Sequence, residues 1–440
     1  MKTPELFSNS SAQAARQKLL HLDSQALAEH QLSRLNRLLG EILTCNRFYQ
    51  QKLADVRPNL GSLEEFSQLP FTFKDELVAN DQHWSMVANL SYPLDRYVRF
   101  HQTSGTRGRP LIVLDTPEDW QWWVDTWQYI LDRAEVGPGD RCVMAFSFGP
   151  FIGFWSAFDA VRERGALAVP TGGMNTLARL ELIRSVGATV LFCTPSYALH
   201  LAEVARENHI DVADLPVRTI VVAGEPGGSV PAIRSQIEEF WGAKVVDHAG
   251  ASEVGPWGMS DPAQRGLYVI ESEFIAEFLS VQTGEPADEG ELSELVLTSL
   301  GRSGSPVIRY RTGDLVRPTW NDDQPTRFVL LSGGVLGRTD DMLVIRGVNV
   351  FPSSIEQILR SFPEIVEYRM TALKHGAMDR LVIEVEDRLS DPGRVERELR
   401  LRLGLRVEAR EVPLGSLPRF EGKGRRFIDR RHVLEQELEQ

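Results

Sequence analysis

Arg141-Cys142-Val143-Met144-Ala145-Phe146 is a short apolar run, closed by Ser147-Phe148-Gly149-Pro150. A run of this length, bounded by Gly and Pro, reads as a buried strand ending in a turn. Runs of the same kind recur at 166–170, 188–193, 218–223 and 243–247. Around and between them, 120–134, 177–185, 196–208 and 230–241 carry apolar residues at helical spacing. Strands separated by helices build βαβ units and a largely parallel sheet. Upstream, 13–48 reads as one helix through Leu19, Leu20, Leu27, Leu35, Leu39 and Ile42. Downstream, 270–316 breaks into shorter runs with Gly and Thr, the mark of a more antiparallel region. A Gly-rich break, Gly333-Gly334 to Arg338, precedes a compact α+β unit of about 100 residues. The fold class is therefore α/β. A large N-terminal domain (1–336) carries mixed, largely parallel sheets and helices, and a small α+β C-terminal domain occupies 337–440.

Composition narrows the function. The chain has 440 residues, enough for two or three domains, with 42% hydrophobic and 25% charged residues as in ordinary globular proteins. Its formal net charge of −13 and lack of a basic stripe argue against nucleic-acid binding. No run of about 18 apolar residues occurs, and the N-terminus is too polar for a secretory signal, so no membrane is expected. Cys45, Cys142 and Cys193 are odd in number and widely spaced, which suits reduced thiols and a cytoplasmic location better than disulfides or a metal site.

The stretch Arg99 to Pro110 contains Thr103-Ser104-Gly105-Thr106-Arg107-Gly108-Arg109, a hydroxyl- and glycine-rich loop ahead of a predicted strand at 111–114. Glycines admit close backbone approach, and successive N–H groups form a concavity that suits phosphate oxygens. It is not the Walker loop, which needs G-x-x-x-x-G-K-[ST] entering a helix. Further segments carry polar and glycine residues where strands end. They are Val222-Ala223-Gly224-Glu225-Pro226, Asp247-His248-Ala249-Gly250-Ala251-Ser252-Glu253, Tyr310-Arg311-Thr312-Gly313-Asp314 and Gly337-Arg338-Thr339-Asp340-Asp341. Arg346-Gly347-Val348 follows, and Leu417-Pro418-Arg419-Phe420-Glu421-Gly422-Lys423 closes the series. Taken singly each is a turn or a surface loop. In this order, the set resembles the adenylate-forming superfamily of acyl-CoA synthetases, adenylation domains and luciferases. The short chain and the Leu-Pro-Arg-x-Glu-Gly-Lys ending are most similar to the phenylacetate–CoA ligase family.

That resemblance implies an AMP-forming ligase joining a small aromatic carboxylic acid to coenzyme A through an acyl-adenylate, with ATP and Mg²⁺. The alternative is an adenylate-forming enzyme that passes the acyl group to an amine, a carrier-protein thiol or another nucleophile instead of CoA. The resemblance implies that Thr103, Ser104, Gly105, Thr106, Arg107 and Gly108 embrace the leaving phosphates. Glu253 would bind Mg²⁺. Gly224, Glu225, Pro226, Asp247, His248, Asp314 and Arg338 would surround the nucleotide, with Asp314 on the ribose. Lys423 would reach the carboxylate and the α-phosphate from a small domain that moves about a hinge at Asp340. Gly347 would line the pantetheine path. The chain departs from the family in having Ala249 where an aromatic residue often packs on adenine; His248 is the alternative ring. Residues 256–269 hold neither Cys nor His, so no structural zinc is expected. Phe146, Phe148, Gly173, Ala249 and Gly250 suggest a flat apolar slot for an aromatic ring. Phe151, Phe154, Trp155 and Phe158 have helical spacing and read as core. Trp120, Trp122, Trp123 and Trp127 read as core or as a subunit interface, which leaves a homodimer open.

Overall fold

The computed structural model describes residues 8–78, 87–103, 110–320, 326–339, 343–345, 348–350, 352–375, 378–403, 407–419 and 426–431. The hairpin of β1 (Arg99–Gln102) and β2 (Ile112–Asp115) brackets the Thr/Ser/Gly stretch, with Gln102 opposite Ile112. The main sheet starts with β3 (Arg141–Met144), β4 (Leu167–Pro170), β5 (Val190–Cys193), β6 (Thr219–Val222) and β7 (Lys244–Ala251). These five run parallel in the spatial order β7-β6-β5-β3-β4. Antiparallel β8 (Gly255–Ser260) and β9 (Gly266–Val269) extend it beyond β7. A second sheet is antiparallel: β10 (Phe274–Ser280), β11 (Ser293–Ser299) and β12 (Tyr310–Val316). The chain then returns through β13 (Pro318–Thr319) and β14 (Leu330–Ser332), which pairs with β9 and completes nine strands. β15 (Gly337–Arg338) closes the second sheet against β12.

The parallel strands bury both faces, as all-parallel sheets must. On one face, Cys142, Met144, Val190 and Phe192 pack with the helices Pro117–Arg133 and Trp155–Glu163. On the other, Val143, Leu191, Cys193 and Ile220 pack with Thr176–Val186, Pro195–Glu207 and Pro231–Trp241. Helix Pro117–Arg133 begins where it does because Thr116 and Asp119 form a reciprocal capping box with Pro117 in the first turn. Its Trp120, Trp122, Trp123 and Trp127 are all buried, so they are core and give no reason to invoke a dimer. The order β6-β5-β3-β4 reverses direction at β3, which opens a crevice at the carboxyl ends of β3 and β5.

Three sequence expectations change. The helical stretch read across 13–48 divides into Ser8–Leu20, Ser24–Cys45 and the start of Arg47–Lys52, because the Asp23 carboxylate accepts from the Ala26 N–H and the Asn46 Oδ1 from the Tyr49 N–H, each starting a new helix. Phe151 lies ahead of the helix it was assigned to, which starts at Trp155. Gly337 and Arg338 belong to the large domain's sheet, so the change of unit comes after them.

In the small domain, β16 (Leu343–Ile345) pairs with β17 (Val348–Val350). Beyond them β18 (Ile365–His375), β19 (Met378–Asp387), β20 (Glu408–Glu411) and β21 (Phe427–Asp429) form a sheet ordered β20-β19-β18-β21. Helices Pro352–Arg360 and Pro392–Leu403 cover it through Ile355, Leu359, Val395 and Leu399. No helix among the described residues is long and apolar enough to cross a membrane.

Candidate active site

Parallel strands all end on one side, and the sequence places its polar and glycine segments at those ends. Phe146 and Phe148 follow β3, Gly173 follows β4, Gly224-Glu225-Pro226 follow β6, and Asp247 to Gly250 form the last part of β7. Gly224 has φ of +94°, a conformation that L side chains rarely adopt, so the turn after β6 needs glycine. Phe146 meets Phe151 and Phe154 edge-on, each with ring centroids 5.3 Å away. Phe148 stands edge-on to Trp155 at 4.7 Å, and a Cβ on Gly172 would lie 3.3 Å from it. Both phenylalanines are half-buried, whereas Phe154 is core.

Glu253 sits in the turn between β7 and β8 and is gripped twice. The Tyr310 hydroxyl donates to its Oε1 at 2.8 Å, and Arg302 Nη1 donates to the carbonyls of Glu253 and Ser252 at 2.9 and 3.1 Å. Burial, reinforced by the Glu253 charge, pushes the Tyr310 phenol far above its ordinary range, so it remains a donor. Among the described residues no three His, Cys, Asp or Glu cluster into a metal cage. A single anchored carboxylate instead suits a hard cation such as Mg²⁺ that takes most of its oxygens from phosphate and water.

Asp314 and Arg338 face each other across β12 and β15. Arg338 Nη1 donates to Asp314 Oδ1 at 2.9 Å and Nη2 to the Thr312 carbonyl at 3.0 Å. Glu225 Oε1 accepts from the Ser196 N–H at 2.8 Å, at the start of helix Pro195–Glu207, and its Oε2 lies 4.0 Å from Arg426 Nη1 of the small domain. Arg426 also forms a two-point ion pair with Glu367, at 2.6 and 2.9 Å. It stands three positions after Lys423, just beyond the Leu417–Lys423 segment, which is the signal by which it was findable.

Asp247 is buried, accepting from Ser229 Oγ at 2.5 Å and from the His248 N–H at 3.0 Å, and burial pushes its carboxyl up to about 6. His248 does not offer its ring for stacking on adenine. The imidazole is buried against Trp127, with centroids 4.2 Å apart, and its Nδ1 donates to the Gly258 carbonyl at 2.7 Å. Burial pushes its pKa down to about 4, so the ring is neutral. Ala249, one residue on along β7, is half-buried, and Gly250 is exposed.

Thr103 closes the base of the phosphate-type loop: its N–H donates to the Leu111 carbonyl and its Oγ1 accepts from the Leu111 N–H. Ser104, Gly105, Thr106, Arg107, Gly108, Asp340, Gly347 and Lys423 lie outside the described residues.

Residues 347–431 match the model of an AMP-binding enzyme C-terminal domain. The chain is 32% identical to a phenylacetate–coenzyme A ligase of Thermus thermophilus, over 93% of this chain and 98% of that protein. It is 31% identical to one of Pseudomonas putida, over 92% and 94%. Among solved structures, 2-hydroxyisobutyryl-CoA ligase in the postadenylation state, with 2-HIB-AMP, superposes with a TM-score of 0.88 at 26% identity, covering 96% and 93% of the two chains. The same ligase in the thioesterification state, with 2-HIB-AMP and CoA, superposes at 0.71, covering 96% and 94%.

Proposed function

The chain belongs to the phenylacetate–coenzyme A ligase family of AMP-forming acid–CoA ligases, and on that premise we propose an aromatic, aryl or arylacetic, acid as its substrate. The observation that carries the reading is the convergence of the half-buried Phe146 and Phe148 with Gly224–Pro226 and Asp247–Gly250 at the carboxyl ends of the five parallel strands of one sheet. A flat slot with apolar walls and a glycine rim, at Gly173, Ala249 and Gly250, suits a ring better than a flexible chain.

In the first half-reaction a carboxylate oxygen of the acid attacks the α-phosphorus of ATP, forming the acyl–AMP anhydride and releasing pyrophosphate. In the second, the CoA thiolate attacks the acyl carbon and AMP leaves. Thr103 to Gly108 hold the departing phosphates, and Asp314 with Arg338 hold the ribose end. Lys423 places its charge between carboxylate and α-phosphate, so its contribution falls where charge develops. Glu253 is the residue that would hold Mg²⁺, which neutralises phosphate charge when bound. For one relative in two states, the fit falls from 0.88 to 0.71, which supports reading the present arrangement of the two domains as the one in which adenylation occurs. A hinge at Asp340 and a pantetheine path past Gly347 belong to the other arrangement. Reduced cysteines and a thiol substrate fit the cytoplasm.

A panel of carboxylic acids assayed for acid-dependent pyrophosphate exchange, then for acyl-CoA by mass spectrometry, tests the reading. Exchange and thioester are expected with aromatic acids. Exchange without acyl-CoA from any acid transfers the assignment to an amine or carrier-protein acceptor, and a preference for aliphatic acids overturns the slot.

A further inference from the structure

The side chains of Asp115 and Arg302 are both 0% exposed, yet only the Arg302 contact with the Ser252–Glu253 turn has so far entered the site. Arg302 Nη2 lies 2.7 Å from Asp115 Oδ1, and His101 Nδ1 lies 3.7 Å from Asp115 Oδ2. Two charges buried this completely are a poor way to gain stability, because desolvation consumes most of the attraction and an apolar pair of similar volume does as well. The pair is also poorly aligned: neither Asp115 oxygen, nor Arg302 Nε or Nη2, has a hydrogen-bond partner of good geometry. Such a group calls for an explanation other than packing.

Its connections supply one. Asp115 is the last residue of β2, the strand that leaves the Thr/Ser/Gly loop, and His101 lies on β1, the strand that enters it. Arg302 Nη1 is spent on the carbonyls of Ser252 and Glu253. Trp122 fills the space beneath: a Cβ on Gly301 would lie 2.1 Å from its ring, and one on Gly255 2.7 Å, so both turns are seated on one indole with no slack. The guanidinium therefore joins the far end of the hairpin that carries the Thr/Ser/Gly stretch, where Asp115 pairs with Arg99, to the turn that carries Glu253.

We propose that the Asp115–Arg302 pair is a positioning device that fixes the Glu253 turn against the β1–β2 hairpin, so that the Glu253 carboxylate is held in one place when a cation and phosphates arrive. Neither residue touches substrate, and both act through the Ser252–Glu253 backbone. The inference rests on the reading of Glu253 as the cation-holding carboxylate.

The test compares Arg302→Lys, Asp115→Asn and the paired apolar replacement Asp115→Leu with Arg302→Met, which removes the buried charges together. For each we would measure thermal unfolding, Mn²⁺ binding with ATP by EPR, pyrophosphate exchange against Mg²⁺ concentration, and thioester formation from a supplied acyl-adenylate. In the folded variants Mn²⁺ affinity falls and the Mg²⁺ requirement rises by about 10–100-fold, the range for losing an outer support of a metal-binding group, while thioester formation changes little. Wild-type Mn²⁺ affinity in any folded variant that has lost the pair reduces it to a structural feature and overturns the proposal. So does a set in which no variant folds, because the pair then serves the fold. Glu253→Gln is the control: unchanged Mn²⁺ binding there means that the reading of Glu253 itself has failed.

Discussion

β12 carries Tyr310 at one end and Asp314 four residues on, and the two ends of this strand are built in opposite ways. Around Tyr310 everything is closed: the phenol is 1% exposed and fixes Glu253, and Arg302 behind it is fully buried. Around Asp314 the partner is open, with the Arg338 side chain 38% exposed. An ion pair with one partner this exposed is worth about 0–1 kcal/mol, so on the proposed reading Asp314 and Arg338 would give it up cheaply to a ribose. On the same reading, one strand thus combines a rigid support for charge that develops during reaction with a yielding contact for ground-state binding.

This contrast breaks or sharpens at the level of half-reactions. The largest effect is expected from Lys423→Ala, which should lower acid-dependent pyrophosphate exchange by about 10²–10³-fold while sparing thioester formation from a supplied adenylate. Equal loss in both half-reactions removes Lys423 from the adenylation step. Next, Glu253→Gln keeps the shape and the Tyr310 contact but removes the charge; exchange should fall about 10–100-fold with a raised Mg²⁺ requirement and an unchanged melting temperature. At the open end, Asp314→Ala should raise the KM for ATP about tenfold with kcat nearly intact, the pattern of lost uniform binding. A kcat effect as large as that of Glu253→Gln would erase the distinction between the two ends.

The last effect is on stability rather than on a half-reaction, is small in net because two contributions oppose each other, and has a worked sign. His248 titrates at 6.5 when free and about 4 when folded, so the unfolded chain binds its proton first and stability is lost as pH falls through this window. Asp247 goes the other way. Its pKa rises from 3.8 to about 6, so its contribution is complete below 3.8 and is lost as pH rises through 6. Each is worth about 3 kcal/mol, and they oppose each other between pH 4 and 6. Relative to wild type, His248→Gln should gain stability on acidification and Asp247→Asn should lose it, as read from melting temperatures across that range. Parallel shifts in the two variants would mean that the side chains do not titrate separately.

Much of this was legible before any coordinates. The βα alternation was readable because buried parallel strands are continuous apolar runs and the helices between them keep their own period. The Glu253 and Asp314 segments stood out as polar interruptions at strand ends. What escaped was whatever depends on partners distant in sequence. Arg302 reads as an ordinary charged loop residue until Asp115 and the Ser252–Glu253 turn are beside it. His248 looked like a free ring because strand alternation alone does not say that Trp127 is waiting on that face. The break at residues 21–23 was hidden because leucine spacing runs on through it, and only the Asp23 cap marks the new helix.

The three cysteines have a consequence for chemoselectivity. Cys142 lies within β3 and Cys193 at the end of β5, close to where an activated acyl group would be made. Burial pushes the Cys142 thiol up to about 12 and Cys193 further still, and it raises Cys45 as well. Only a thiolate attacks an acyl anhydride at a useful rate. At neutral pH these sulfurs stay protonated and inert, so the incoming acceptor meets no rival thiolate from the three cysteines of the chain.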